Sequence, residues 1–404
     1  MSESRIAWRG LPPLAVPAYR KLWIVSMLSH FGTWMHNTAA AAQLAHSSPA
    51  PLTNALLLAA ATLPAVLLSF PAGLLADRIG RGTVLFWANA TGAAVAAVFA
   101  ILNLCDGLGP AAILGLTFAL NAGWAAGYPA WNAEVSSVLP ADLVKDGAAL
   151  NSLSFNLART LGPAAGGFAF GAVGGFPVYL ANALSFAGFM LCFRKTRRMA
   201  ASAARGSWRD SLRETSAFVR DSPRFRALLV RAVMFFSLAQ SMSALVPVYV
   251  LTVRHRSAAD LGFVLAAFGA GAVCSAVSYP NLRRRVPERV LRCACAVLAA
   301  LALAALPLLG SVSALFAVGV VFGAAQASMV TVNNGFLQTT VALSLRSRAV
   351  ALYIVVLYGA QTIGAVVAGA LSAWWGVGPA AWAIAVLLAA CALPGRVRQR
   401  RSGS

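Results

Sequence analysis

Residues 73–82 read Gly-Leu-Leu-Ala-Asp-Arg-Ile-Gly-Arg-Gly and join two long apolar runs of the chain. In this segment a small residue lets neighbouring helices approach closely, and a carboxylate stands at the end of the first run. A second glycine, placed between two arginines, permits a tight and positively charged turn. Apolar runs of about 20 residues are long enough to cross the hydrocarbon core of a membrane as helices. The segment therefore predicts a short connection between two membrane-spanning helices.

The composition extends this prediction to nearly the whole chain. Of its 404 residues, 59% are hydrophobic and only 11% are charged, and the mean hydropathy is +0.74. Soluble domains carry about 25% charged residues, so we expect an all-α polytopic membrane protein. Twelve apolar runs can be distinguished, at 22–45, 52–76, 83–104, 110–138, 147–172, 176–193, 227–253, 258–280, 290–308, 312–341, 348–373 and 377–393.

The charge of the chain is strongly positive, with 32 Lys and Arg against 11 Asp and Glu, a net charge of +21. In a soluble protein this excess would suggest a nucleic-acid partner. Here most basic residues lie in short connections between apolar runs, and no basic groove with interleaved aromatic side chains is evident, so we expect no nucleic acid. The positive-inside rule predicts an even number of spans with both termini cytoplasmic. Anionic lipid headgroups at the cytoplasmic face are the expected partners of these charges.

The longest polar stretch divides the runs into two sets of six. We expect a cytoplasmic segment at 1–21, a six-helix bundle at 22–193, a basic linker with an amphipathic helix at 194–226, a second bundle at 227–393 and a basic tail at 394–404. An offset of 202 residues supports two related halves, because it aligns Arg159 with Gln361, Gly162 with Gly364, Gly167 with Gly369 and Asn132 with Asn334. Transporters built from two such repeats bind their substrate near the midplane, between the halves.

Arg159 lies near the middle of the fifth run, where a charge is costly unless it faces a polar interior. Ser152 and Asn156 share its face of a helix, at spacings of i, i+4 and i+7. We predict that these residues line a substrate cavity; the alternative is a structural arginine bound to carbonyls of a neighbouring helix. Further cavity candidates are Trp34, Asn37, Asn132, Asn334, Gln338 and Gln361, in walls that also contain Gln326, Asn333, Tyr353 and Tyr358.

Four residues are candidates for carrying protons. Glu134 is the acid clearly inside an apolar run, and burial disfavours the charged form of a carboxylate, as a proton carrier requires. The competing interpretation is an interfacial acid neutralised by a neighbouring arginine. His30 and His36 in the first run can titrate near neutral pH, although a histidine in a helix bundle is more often hydrogen-bonded in place. Asp77 is the fourth candidate.

The segment 73–82 resembles the loop 2–3 signature of the Major Facilitator Superfamily, G-x-x-x-D-R-x-G-R-[RK]. Five of its six defining positions match, and Gly82 stands where a basic residue is usual. The resemblance implies a gate in which Asp77 acts against the start of span eleven, near Arg348. An ordinary positive-inside connection would explain the arginines alone. The residues that match the gate motif are Gly73, Asp77, Arg78, Gly80 and Arg81.

In the fifth run, Gly162, Pro163, Gly166 and Gly167 resemble the G-P-x-x-G-G core of the superfamily's antiporter motif, while Ala149 and Ala158 replace its upstream glycines. A simple small-residue helix interface is the alternative. Together with the segments 30–35 and 139–159, this motif is similar to the enterobactin-exporter-like branch, described as transmembrane secretion effectors. The resemblance implies twelve helices in two pseudo-symmetric bundles and a location in the bacterial inner membrane.

The sequence contains no nucleotide-binding loop, dinucleotide turn or cluster of catalytic acids, so we expect neither enzymatic activity nor a cofactor. Six scattered cysteines predict neither disulfides nor a metal site. The resulting prediction is a secondary transporter, monomeric, that exports a small amphipathic or anionic molecule, siderophore-like or drug-like, in exchange for protons. The alternatives are an importer or facilitator of another solute, such as a sugar or lysolipid, and a membrane scaffold without transport activity.

Overall fold

The computed structural model describes residues 12–47, 50–140, 142–194, 218–340 and 343–392. Within these ranges the chain forms twelve long helices and no strand, which confirms the predicted all-α class. The helices are α1 (Pro17–Ser47), α2 (Pro51–Ile79), α3 (Arg81–Leu104), α4 (Pro110–Val138), α5 (Val144–Val173), α6 (Gly175–Cys192), α7 (Pro223–Val248), α8 (Ala258–Arg285), α9 (Glu288–Ala305), α10 (Val312–Thr340), α11 (Leu343–Trp375) and α12 (Val377–Ala390).

Each helix coincides with one of the twelve apolar runs. Among the described residues, nine helices are long and apolar enough to cross a membrane, and α12 is a shorter apolar helix. The other two, α1 and α5, carry the polar residues His30, His36 and Arg159 within their length. Polar candidate residues thus interrupt the apolar character of these two helices.

Several helices extend beyond the apolar runs that predicted them. α1 begins at Pro17, where proline suits the first helical turn, and the Tyr19 hydroxyl donates to the Gly147 carbonyl oxygen of α5 at 2.7 Å. α7 begins at Pro223, and the Ser222 side chain accepts a hydrogen bond from the amide of Phe225. Apolar runs mark the part of a helix in contact with lipid, whereas caps and proline set its ends. Residues 1–11, 195–217 and 393–404 lie outside the described residues, and with them most of the predicted amphipathic helix and the basic tail.

Contacts of glycines show how the first six helices (the N-half) relate to the last six (the C-half). On α5, Gly162 lies against α1, and Gly167 lies against α8 of the other half. On α11, Gly364 lies against α7, and Gly369 lies against α2 of the other half. Each contact of α11 is thus the counterpart of a contact of α5, with the helix numbers shifted by six. The two halves are joined mainly along α5 and α8 and along α2 and α11.

The two ends of the molecule differ in charge. We call the end with the connections α2–α3, α4–α5, α6–α7, α8–α9 and α10–α11 the basic end, and the other the opposite end. Close contacts between the halves extend from the middle of the molecule towards the opposite end. The hydroxyls of Thr62 and Thr362 are 2.7 Å apart, and Gly167 of α5 packs on Ala258 and Gly262 of α8. Opening the opposite end requires these contacts to separate.

Candidate functional site

A hydrogen bond joins the two halves at the middle of the molecule. Arg159 lies near the midpoint of α5, and its Nη2 donates to Oε1 of Gln326 at 3.2 Å. Gln326 lies near the midpoint of α10 in the C-half and is 8% exposed. A guanidinium at this depth requires a polar partner, and an amide oxygen of the other half supplies one.

Two phenols complete this group, which we call the central cluster: Arg159, Gln326, Tyr358 and Tyr128. Tyr358, from the middle of α11, lies within electrostatic reach of both Arg159 and Tyr128 of α4. Arg159 and Tyr358 lie near the midpoints of their helices and are partly exposed. Their exposed surface lies at the junction of the two halves, because Arg159 bonds Gln326 of the C-half and Tyr358 of the C-half lies near Arg159. Helices α4, α5, α10 and α11 therefore contribute to one site between the halves.

Among the described residues, no acid forms an ion pair with Arg159. Within the described residues two ion pairs are formed, Arg220 with Asp221 and Arg292 with Glu288, and neither includes Arg159. The described acids all lie at or near helix ends: Asp106, Glu134, Asp142, Asp146, Asp221, Asp260 and Glu288. Among the described side chains of the central cluster, Arg159 thus carries a charge without a nearby acid.

An aromatic surface adjoins the central cluster on α5. Phe155 precedes Arg159 by four residues and so lies on the same face of the helix. Its ring makes edge contacts with the rings of His30, at 5.4 Å between centroids, and Trp34, at 6.2 Å, both on α1. All of these side chains are partly buried. The site therefore combines a cation with an apolar, aromatic wall, which suits an amphipathic ligand.

The structure places the other cavity candidates as follows. Asn37, Asn156 and Gln361 are partly buried, and Asn334 is exposed. Its neighbour Asn333 is instead buried and donates from Nδ2 to the Tyr353 hydroxyl at 3.1 Å, inside the C-half. The side chains of Asn132, Ser152 and Gln338 lie outside what the structure describes.

Glu134 lies near the basic end of α4, partly buried and within electrostatic reach of Arg81 at the start of α3. Both interpretations of this acid, a proton carrier and a neutralised interfacial group, remain compatible with this position. Gly80 separates α2 from α3 with a φ of 91°, a conformation that favours glycine, and Arg78 is exposed. The side chains of Asp77 and Arg348, and the surroundings of Gly73, are not among the described features.

His36 is not part of the central cluster. It is 1% exposed, and its ring packs edge-on against Phe99, at 4.5 Å between centroids, and Tyr179, at 4.8 Å. Neither of its ring nitrogens has a hydrogen-bond partner among the described residues. His36 therefore faces α3 and α6 in the interior of the N-half.

Sequence reasoning did not identify the partners of Arg159. Gln326 and Tyr358 were recognised only as polar members of the C-half wall, because an amide or phenol in an apolar run carries no sign of its partner. Tyr128 gave no signal, and Phe155 entered only as part of the family-like segment 139–159, because aromatic residues in apolar runs most often face lipid or core.

Solved transporter structures share this fold. A point mutant of the nucleoside transporter NupG superposes with a TM-score of 0.77 at 13% identity, covering 93% of this chain and 98% of that one. A bacterial homolog of the human lysosomal transporter Spinster, in its inward-facing and occupied conformation, gives 0.71 at 14% identity, covering 94% of this chain and 96% of the other. At such low identity these likenesses establish the fold alone.

Relatives found by sequence share a higher identity with this chain than the solved structures do. The multidrug efflux pump Tap of Mycobacterium tuberculosis is 30% identical over 338 residues, which are 79% of this chain and 78% of the pump. Its counterpart in Mycolicibacterium fortuitum is 26% identical over 326 residues, covering 78% of this chain and 79% of that protein. The sequence profile of the transmembrane secretion effectors matches residues 9–402. This chain therefore belongs to the transmembrane secretion effector family of the Major Facilitator Superfamily and is a multi-pass membrane transporter, not an enzyme.

Proposed function

We propose that this transporter exports small amphipathic molecules, drug-like or siderophore-like, across a bacterial plasma membrane in exchange for protons. The observation that carries the proposal is the central cluster: an arginine, an amide and two phenols beside an aromatic wall, at the junction of the two halves. The direction rests on the relatives named as multidrug efflux pumps. The basic end would face the cytoplasm, in contact with anionic headgroups.

Transport would proceed by rocking of the halves about the central cluster. Contacts along α5–α8 and α2–α11 hold the opposite end together, and the Arg159–Gln326 hydrogen bond spans the halves at the midplane. Substrate that enters between the halves replaces this hydrogen bond. When the opposite end opens, the same side chains face the other side of the membrane.

Protons would supply the energy through Glu134, with Asp77 acting at the gate. Glu134 lies on α4, the helix that also carries Tyr128 of the central cluster. Partial burial raises and the nearby Arg81 lowers the pKa of Glu134, so that a change in its access to water as the halves rock would change its proton occupancy. A membrane potential of 100 mV contributes about 2.3 kcal/mol per charge moved, which sustains roughly a fiftyfold gradient.

Proteoliposomes that contain the purified protein and an internal pH reporter test this proposal. We expect a panel of amphipathic substrates to collapse an imposed pH gradient, and Glu134→Gln to abolish this response while substrate counterflow continues. Asp142→Asn, which removes an exposed acid between α4 and α5, is the matched control and should behave as the wild type. Full proton-driven export by Glu134→Gln would remove Glu134 from the mechanism. Net uptake towards the cytoplasmic side would instead establish an importer.

A further inference from the structure

We infer that the central cluster selects substrates with an anionic group, a carboxylate, sulfonate or phosphate, which pairs directly with Arg159. This inference rests on the proposed function, because it names the substrate class of the same site. The argument starts from the hydrogen-bonding capacity of the guanidinium. Arginine has five N–H donors, and within the described residues Arg159 uses one, towards the neutral Gln326 amide. Arg159 is partly exposed, so its remaining donors are available to a ligand.

The charge of Arg159 leads to the same conclusion. A cation at the midplane of a membrane protein is stabilised by an opposite charge or by water. Glu134 lies closest in sequence, but it is near the basic end of α4 and interacts with Arg81. Asp77 lies on the last turn of α2, at the basic end of the molecule. α5 begins at the same end, and Arg159 lies about 20 Å further along it, so the two residues are at different depths. Within the described residues no acid neutralises Arg159, so an anionic ligand that displaces water from the guanidinium would supply the opposite charge.

The neighbours of Arg159 fit an anion better than a cation. The phenol of Tyr358 can donate a hydrogen bond to an oxyanion, and the Gln326 amide can rotate to present its NH₂ group. Planar guanidinium groups bind carboxylates through two parallel hydrogen bonds. Phe155 and Trp34 then contact the apolar body of the same molecule. A cationic drug would meet uncompensated repulsion at this point.

A matched pair of fluorescent ligands tests the inference without any dependence on protons. Dansyl-phenylalanine carries a free carboxylate, and its carboxamide has the same body without the charge. Binding is measured by fluorescence anisotropy with the full-length protein in an uncharged detergent, after subtraction of protein-free micelles. We expect the carboxylate to bind at least about tenfold more tightly than the amide, the difference of one charge-assisted hydrogen bond.

Four variants show whether Arg159 is responsible. Arg159→Gln should remove the preference for the carboxylate, and Arg159→Lys should retain part of it. Gln326→Glu places a carboxylate beside the intact guanidinium, so it should also abolish the preference. Arg231→Gln, which removes an exposed arginine on α7, should leave the preference unchanged. Thermal unfolding followed by tryptophan fluorescence confirms that each variant is folded.

The outcomes separate this inference from the proposed function. If the wild type shows no preference, whether both ligands bind alike or neither binds, the inference is wrong. It is equally wrong if folded Arg159→Gln keeps the preference. A carboxylate preference that depends on Arg159, in a protein that shows no proton coupling, supports the inference and refutes only the proposed proton exchange.

Discussion

His36 and Arg159 show how the surroundings of an ionisable side chain determine its role. Arg159 keeps accessible surface and receives polar groups from the other half of the molecule. His36 is 1% exposed and is enclosed by Phe99 and Tyr179 of its own half. A group that exchanges protons during transport has to contact water or substrate when the transporter is open to each side of the membrane. The packing of His36 favours a structural role, whereas Glu134 is partly buried and lies within electrostatic reach of Arg81.

Replacement of His36 by leucine tests this distinction. Leucine has a similar volume and needs no hydrogen-bond partner, so we expect His36→Leu to fold with unchanged or slightly higher thermal stability. Proton-driven export should stay within about twofold of the wild type, since volume-conserving core changes perturb a protein little. Both properties can be measured on the same preparation, by tryptophan fluorescence and in proteoliposomes. Loss of proton coupling in a stably folded His36→Leu protein would show that His36 takes part in proton transfer.

The limits of sequence reasoning are clearest at this scale. The depth of Arg159 followed from its place in an apolar run, because the thickness of the membrane fixes where the middle of a helix lies. Its partner Gln326 is 167 residues away, on a helix of the other half. Which helices face each other depends on packing across the whole bundle, so it cannot be predicted from a local sequence pattern. The same reason explains why the sequence could not separate His36 from His30.

At the scale of elements, α5 combines packing and function in one segment. Gly162 and Gly166 let α1 approach closely, while Gly167 meets α8 of the other half. Pro163 has no N–H, so the carbonyl of Arg159 lacks its usual donor four residues later in the helix. The antiporter-like motif therefore lies directly beside the central cluster. The apolar runs predicted the existence of α5 and α8, but their contact emerged only from the fold.

Gly167→Ala should impair the contact between the halves. A Cβ at this position would collide with the backbone carbonyl oxygen of Ala258 and would approach the backbone of Gly262, and neither can move without shifting α8. We expect transport to fall at least tenfold, with a stability loss of about 1–3 kcal/mol, as for other overpacked interfaces. Initial export rates in proteoliposomes and thermal unfolding measure the two effects.

The control for this change is Gly171→Ala, one turn further along α5, where a Cβ meets no atom within 4 Å. This variant should transport as the wild type does, and its helix should gain slightly in stability. Equal transport by the two alanine variants would mean that close approach of α5 to α8 is not needed in the cycle.

At the scale of the whole molecule, alternating access requires the two halves to separate at the opposite end in one state and to meet there in another. The described contacts at this end use small side chains and backbone atoms: Thr62 and Thr362 hydroxyls between α2 and α11, and glycines between α5 and α8. Each of these contacts involves small groups and so buries little apolar surface by itself. The interface is thus suited to repeated opening.

A covalent link across this interface should therefore stop transport. In a variant without the six native cysteines, Thr62→Cys with Thr362→Cys places two thiols where the hydroxyls are 2.7 Å apart, and oxidation should reduce export to background. Dithiothreitol should restore export.

The matched control is Ser275→Cys with Ser328→Cys, whose hydroxyls are 2.8 Å apart on α8 and α10 of the same half. Because this second link does not cross the moving interface, oxidation should leave its transport intact. Export that persists after complete oxidation of the first pair would show that α2 and α11 stay together throughout the cycle, and the halves would have to open elsewhere.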